Sequence, residues 1–136
     1  MRDADERHKK TILCIDDDTF TLSSLKDALR EEYQVVLALD PEVGLNLAIK
    51  HRPDLIMLDI SMPKITGLEL AEMLRKVEST KTIPIIFLSA YDTTLELKRA
   101  EQIGVQAFLG KPCSLTKVRE TVANILSHAQ ENSAQD

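Results

Sequence analysis

A doubly wound α/β sandwich of five strand–helix units, (βα)5, is the fold class this sequence predicts. Three observations lead to it. Apolar runs rich in β-branched residues alternate with stretches of helical period, five times in succession. Most of these runs are too continuously apolar to leave one face in water, which places them in a five-stranded parallel sheet covered on both sides. The 136 residues, 43% of them hydrophobic, suffice for one globular domain with a core of its own.

The elements follow in order. Residues 11–15 are the first strand, and Leu22, Leu25 and Leu29 recur at helical steps as the buried stripe of the first helix. Residues 34–39 are the second strand; Pro41 suits the first turn of the next helix, whose stripe is Leu45, Ala48 and Ile49. Residues 55–58 form the third, followed by a Thr66 cap and the stripe Leu70, Leu74 and Val77. Residues 83–88 form the fourth, with Pro84 tolerable so near its start. Asp92 caps the fourth helix, Leu97, Ala100 and Ile103 are its stripe, and Gly104 ends it. Residues 106–109 are the last strand, and a Ser114 cap opens a helix with Leu115, Val118, Val122 and Ile125 inward. Right-handed crossovers bring the functional groups to the carboxyl ends of the strands, near a topological switch point. The domain spans 11–128, with polar tails at 1–10 and 129–136.

Composition excludes several classes. The 17 basic and 22 acidic residues leave a formal net charge of −5 with no basic block, so direct nucleic-acid binding is not expected. The charged start MRDADERHKK and a longest apolar run of only residues 83–88 argue against a signal peptide and a membrane span. Cys14 and Cys113 are far apart, without a CxxC or Cys/His cluster, and read as core thiols of a reducing cytoplasm.

Four predicted strands end in reactive groups: Asp16, Asp17 and Asp18 after the first, Asp59 after the third, Ser89 after the fourth and Lys111 after the fifth. Asp18 is a helix cap, and Asp40 after the second strand is a turn residue. Capping does not account for the convergence of Asp16, Asp17 and Asp59, since close carboxylates repel by roughly 4 kcal/mol per pair at an effective dielectric near 20. A cation must offset this, and oxygen-only ligands with room for phosphate oxygens select Mg²⁺. Lys111 supplies a point charge for phosphate and Ser89 a donating hydroxyl. Familiar enzyme signals fail: Gly104 and Gly110-Lys111 have the wrong spacing for a phosphate-binding loop and Pro112 replaces its Ser/Thr. No GxSxG, HExxH or GxGxxG occurs, and His8, His51 and His128 lie in a tail or at helix ends.

Four ordered segments, ILCIDDD, LIMLDISMPKITGLEL, IPIIFLSA and GVQAFLGKP, make residues 11–128 similar to the receiver domains of two-component response regulators. The resemblance implies a flavodoxin-like strand order 2-1-3-4-5. It implies Asp59 as phosphoacceptor, Asp17 holding Mg²⁺ directly and Asp16 through water, Ser61 giving its carbonyl, and Lys111 and Ser89 contacting the phosphoryl group. It also implies a cis Lys111-Pro112 bond, a phosphohistidine donor on a sensor kinase or phosphotransfer protein, and a switch that assists its own dephosphorylation without being a conventional enzyme. Phe108 stands where many members have Tyr, and with Ser89 it is the expected switch pair, Phe108 turning from exposed to buried. The helix four–strand five–helix five face would then change shape, toward a downstream protein, a fused output domain or a phosphorylation-dependent dimer. The protein is expected to be either a stand-alone regulator or a receiver from a larger chain. On a helical wheel Phe20, Ser23, Ser24 and Asp27 lie opposite the first helix's core stripe and form the expected docking face for the kinase.

Two rival readings fit the residues less well. A haloacid-dehalogenase-like phosphatase is imitated by ILCIDDDTF, but Thr19 comes one residue early, no acidic pair follows Lys111, and Asp59 would be idle. A scaffold without phosphoryl chemistry is disfavoured because every reactive group is present.

Overall fold

The computed structural model describes residues 9–90 and 94–135. Strands and helices alternate: β1 (Thr11–Ile15), α1 (Thr19–Leu29), β2 (Gln34–Ala38), α2 (Pro41–His51), β3 (Leu55–Asp59), α3 (Gly67–Lys76), β4 (Ile85–Ser89), α4 (Thr94–Ile103), β5 (Ala107–Gly110) and α5 (Leu115–Gln135). All strand pairs are parallel, in the order β2-β1-β3-β4-β5. The chain therefore leaves β1 toward one edge and returns to β3 on the other side, so the switch point lies between these two strands.

Strand pleating sorts the core into two layers. Leu13, Ile15, Ile56, Leu58, Ile85 and Phe87 face α2, α3 and α4, while Ile12, Cys14, Leu55, Met57, Ile86 and Leu88 face α1 and α5. Every residue of β3 and β4 is buried, as a sheet covered on both faces requires. Two helix starts are capped as the sequence suggests: Asp18 accepts from the Phe20 N–H (3.0 Å) and the Thr21 hydroxyl (2.9 Å), and Ser114 from the Lys117 N–H (3.0 Å); Asp40, read as a turn residue, is the N-cap of α2, accepting from the Glu42 N–H (2.7 Å). Thr66 and Glu69 form a reciprocal capping box. Gly104 ends α4 at φ +85°, a left-handed position suited to glycine.

Several boundaries shift. β4 begins at Ile85, not residue 83, because Pro84 has no N–H to give; its carbonyl instead accepts from Ile56 at 2.9 Å. β5 begins at Ala107, and Gln106 before it brackets the start of β4: its N–H reaches the Ile85 carbonyl (2.9 Å) and its side-chain oxygen accepts the Ile85 N–H (2.8 Å). β2 ends at Ala38, leaving Leu39 exposed, and β3 and β5 each run one residue further, into Asp59 and Gly110. Ile49 and Leu115, expected inside, are exposed. α2 instead meets the sheet through the small residues Gly44 and Ala48, and α5 substitutes Leu126. Cys14 is fully buried, but Cys113 is only half-buried, correcting its assignment to the core. The backbone of 129–135, read as a polar tail, continues α5. The Asp92 cap lies outside the described residues. Among the described residues no helix is long and apolar enough to cross a membrane.

Candidate functional site at the carboxyl edge of the sheet

Ile15, the last residue of β1, is in register with Leu58 of β3, so Asp16 and Asp59, 43 positions apart in the chain, emerge side by side at the switch point. Asp16 is fully buried; its Oδ1 accepts the Asp18 N–H at 2.9 Å, folding the acidic run back on itself. Asp17 is exposed beside it. Oxygens of Asp16, Asp17 and Asp59 all lie within 4.8 Å of one another.

Lys111 reaches this cluster from the end of β5. Its Nζ lies 2.7 Å from Asp16 Oδ2 and 3.4 Å from Asp59 Oδ1, with the side chain largely covered. Its backbone is held by the Lys111 N–H donating to the Ser89 carbonyl at 2.7 Å, and the Lys111-Pro112 peptide is cis, as the resemblance implied. Burial pulls the ammonium's pKa down, but the carboxylates of Asp16 and Asp59 outweigh this and hold it above the usual lysine value.

Asp59 is nearly inaccessible. Burial, and then the negative charge of Asp16, push its carboxyl up from 3.8 to about 6, against the opposing pull of Lys111 and of the Ser61 N–H on Oδ1 at 3.2 Å. Asp16 Oδ2 is buried without a properly aligned hydrogen bond, its Lys111 contact being an ion pair alone. A buried carboxylate oxygen in that condition, in an all-oxygen donor set with two further carboxylates in reach, fits a hard divalent cation such as Mg²⁺.

The other predicted residues group unevenly around this centre. Ser89 is buried at the end of β4, in register with Gly110 and one residue from Lys111. Ser61 is exposed, two residues beyond Asp59. Phe108 is half-buried, edge-on to Phe87 with ring centroids 6.3 Å apart, so it is not the fully exposed ring expected from the sequence. On α1, Phe20 stands 77% exposed, with Ser23 and Asp27 exposed and Ser24 half-buried. Phe20 also lines an apolar cavity of about 340 Å³ with Leu25, Pro112, Cys113, Leu115 and Val118, which runs from α1 to α5 beside Lys111.

Gly67 is a site residue that the sequence does not single out, although it lies within the segment LIMLDISMPKITGLEL. A Cβ there would sit 2.2 Å from the Asp59 carbonyl oxygen and 2.7 Å from the Ile60 Cα. The Gly67 N–H also donates to the Ile60 carbonyl at 2.8 Å, so the start of α3 presses on the main chain that carries Asp59. A lone glycine in a loop does not announce such a contact.

Comparison with known proteins agrees with this geometry. The family model for the response regulator receiver domain matches residues 12–123. The polar-differentiation response regulator DivK of Brucella anthropi is 29% identical over 121 residues, covering 88% of this chain and 98% of that protein. Among solved structures, a CheY-like response regulator receiver domain protein from Methanospirillum hungatei superposes with a TM-score of 0.86 at 27% identity, covering 91% of this chain and 98% of the other. The chemotaxis protein CheY4 of Vibrio cholerae gives 0.78 at 26% identity, covering 88% and 98%. Such domains are signalling switches and not classical enzymes. With its strand order, its acidic cluster and its lysine all in agreement, the chain belongs to the response regulator receiver domain family.

Proposed function

We propose that this receiver accepts a phosphoryl group from a phosphohistidine, on a sensor histidine kinase or a histidine phosphotransfer protein, onto Asp59. One observation carries the reading: a buried carboxylate at the switch point flanked by two further carboxylates and a lysine ammonium 3.4 Å away. With Oδ1 held by the Ser61 N–H and Lys111, Oδ2 of Asp59 attacks phosphorus in line. The phosphorus–nitrogen bond breaks, its electron pair returns to the imidazole, and a mixed anhydride forms on Asp59. Lys111 offsets the charge of the phosphoryl oxygens, and the Ser89 hydroxyl donates to one of them. Asp17, Asp59, the Ser61 carbonyl and, through water, Asp16 would hold Mg²⁺, which supplies charge neutralisation for the transferring group. Water later attacks the same phosphorus, releasing phosphate and restoring the carboxylate.

The acyl phosphate draws Ser89 inward, and Phe108, starting half-buried against Phe87, completes its burial. The surface of α4, β5 and α5 then changes toward a downstream protein, a second copy or an output domain. The exposed Phe20, with Ser23, Ser24 and Asp27, docks the donor, consistent with its place on the rim of the cavity beside Lys111. This phosphorelay chemistry belongs in the cytoplasm. The phosphatase alternative gains no support, because Asp59 sits at the centre of the cluster and Thr19 is the exposed first residue of α1.

Acetyl phosphate with Mg²⁺ should add one acid-stable, base-labile phosphate, read by intact mass. Asp59→Asn or a chelator should abolish it. Equal labelling in the variant, or labelling indifferent to chelator, would overturn the assignment.

A further inference from the structure

Arg75, in the last turn of α3, lies at the end of the sheet opposite Asp59, and its guanidinium donates to four main-chain carbonyls. Nε reaches Ile103 (3.3 Å) and Nη2 reaches Gly104 (3.1 Å), both at the carboxyl end of α4; Nη1 reaches Ile83 (2.7 Å) and Lys81 (3.2 Å), in the connection that enters β4. The last carbonyls of a helix lack partners within it and carry the negative end of its dipole, so a planar cation with a fork of donors suits them. The same helix end is closed a second time by its own backbone, with the Val105 and Gly104 N–H groups both donating to the Ala100 carbonyl at 3.1 Å.

Along residues 97–103 α4 buries little of itself. From residue 97 to 103, Ala100 alone is fully buried; Leu97 and Ile103 are half-buried, and Lys98, Arg99, Glu101 and Gln102 are exposed. The lateral Arg99–Glu72 ion pair, at 2.7 Å, is about half exposed and adds little. The amino end of α4 faces the Ser89 edge, where a phosphoryl group on Asp59 would be felt.

We propose that Arg75 is the fixed pivot of α4: it clamps the carboxyl end of the helix to α3 and to the entry of β4, so that phosphorylation swings the amino end while the far end stays in place. This rests on Asp59 being the acceptor. The lever is the ten-residue helix, about 15 Å long. Clamping one end converts a small movement beside Ser89 into a tilt of α4 instead of a translation, and that would set which part of the α4, β5 and α5 surface a partner can sense.

Amide NMR with beryllofluoride and Mg²⁺ tests this on the whole chain, with Arg75→Gln and the conservative Arg75→Lys, which keeps the charge but loses the fork. In the wild type, shift changes should be large near residue 97 and fade to nothing by Gly104. In both variants they should spread through Ile103 and Val105, and hydrogen exchange of the Gly104 and Val105 amides without beryllofluoride should rise about ten- to a hundredfold. A uniform shift pattern along α4 in the wild type, or exchange and pattern unchanged in both variants, would overturn the pivot while leaving Asp59 as acceptor. A wild type that shows no beryllofluoride response at Asp59 overturns the acceptor reading and the pivot with it.

Discussion

Gly67→Ala perturbs the main chain at the end of β3 without touching any charged group. The added Cβ would lie 2.2 Å from the Asp59 carbonyl oxygen, where ordinary van der Waals contact begins at 3.4 Å, so α3 and the end of β3 must part by more than 1 Å. Neither side yields easily, since both are backbone. Overpacking of this kind costs typically 1–3 kcal/mol, and weakening the Gly67 N–H to Ile60 carbonyl bond adds about 1 kcal/mol, for a total of about 2–4 kcal/mol. Gly44→Ala is the comparison: its Cβ would meet Ile15 Cδ1 at 2.6 Å, Cγ1 at 2.9 Å and Cγ2 at 3.0 Å, so a buried β-branched side chain, and not the Asp59 main chain, must give way, at about 1–3 kcal/mol. Urea unfolding monitored by circular dichroism gives both values, provided the slopes agree. At temperatures where each variant is folded, Gly67→Ala should slow acetyl phosphate labelling by up to about a hundredfold, because a misplacement of 1 Å can cost that much, while Gly44→Ala labels at the wild-type rate. A Gly67→Ala protein with unchanged urea midpoint and labelling rate would show that the close approach does not position Asp59.

Other outcomes are equally checkable. The Asp59 carboxyl titrates near 6 in the folded chain and near 4 when unfolded; the folded state thus binds the extra proton between these values, and stability without divalent ions falls as pH rises through that window. Asp59→Asn should remove this slope and raise stability at pH 7.5 by up to about 3 kcal/mol in EDTA; a gain of equal size at pH 4 would refute the cause. Burial pushes the Cys14 thiol up to about 12, so iodoacetamide at pH 8 should modify Cys113 first and Cys14 only after unfolding, as peptide mapping would show. Phe20→Ala should leave acetyl phosphate labelling intact while weakening transfer from the cognate phosphohistidine protein at least tenfold; unchanged transfer would remove α1 from the docking face.

The fold class and the acidic centre were legible in the amino-acid sequence because both rest on patterns that repeat. Apolar runs of strand length recur five times with helical stripes between them, and reactive side chains recur at the ends of those runs, so parallel topology alone gathers Asp16, Asp59, Ser89 and Lys111 on one edge. The exposure of Phe20 was legible for the same reason, as the far side of a helical stripe. Tertiary structure alone decided what depends on a single long-range approach. Arg75 reads as one more surface charge until Ile83, Ile103 and Gly104 are folded around it, and Gly67 reads as a loop glycine until Asp59 lies beneath it. Which apolar residues of a stripe are buried was also settled only by packing: α2 approaches the sheet on Gly44 and Ala48, leaving Ile49 in water, and Cys113 lies half-buried at a cavity rim. Periodicity survives in one dimension because every turn of helix or pleat of strand repeats it, whereas one contact between residues far apart in the chain leaves no period to read.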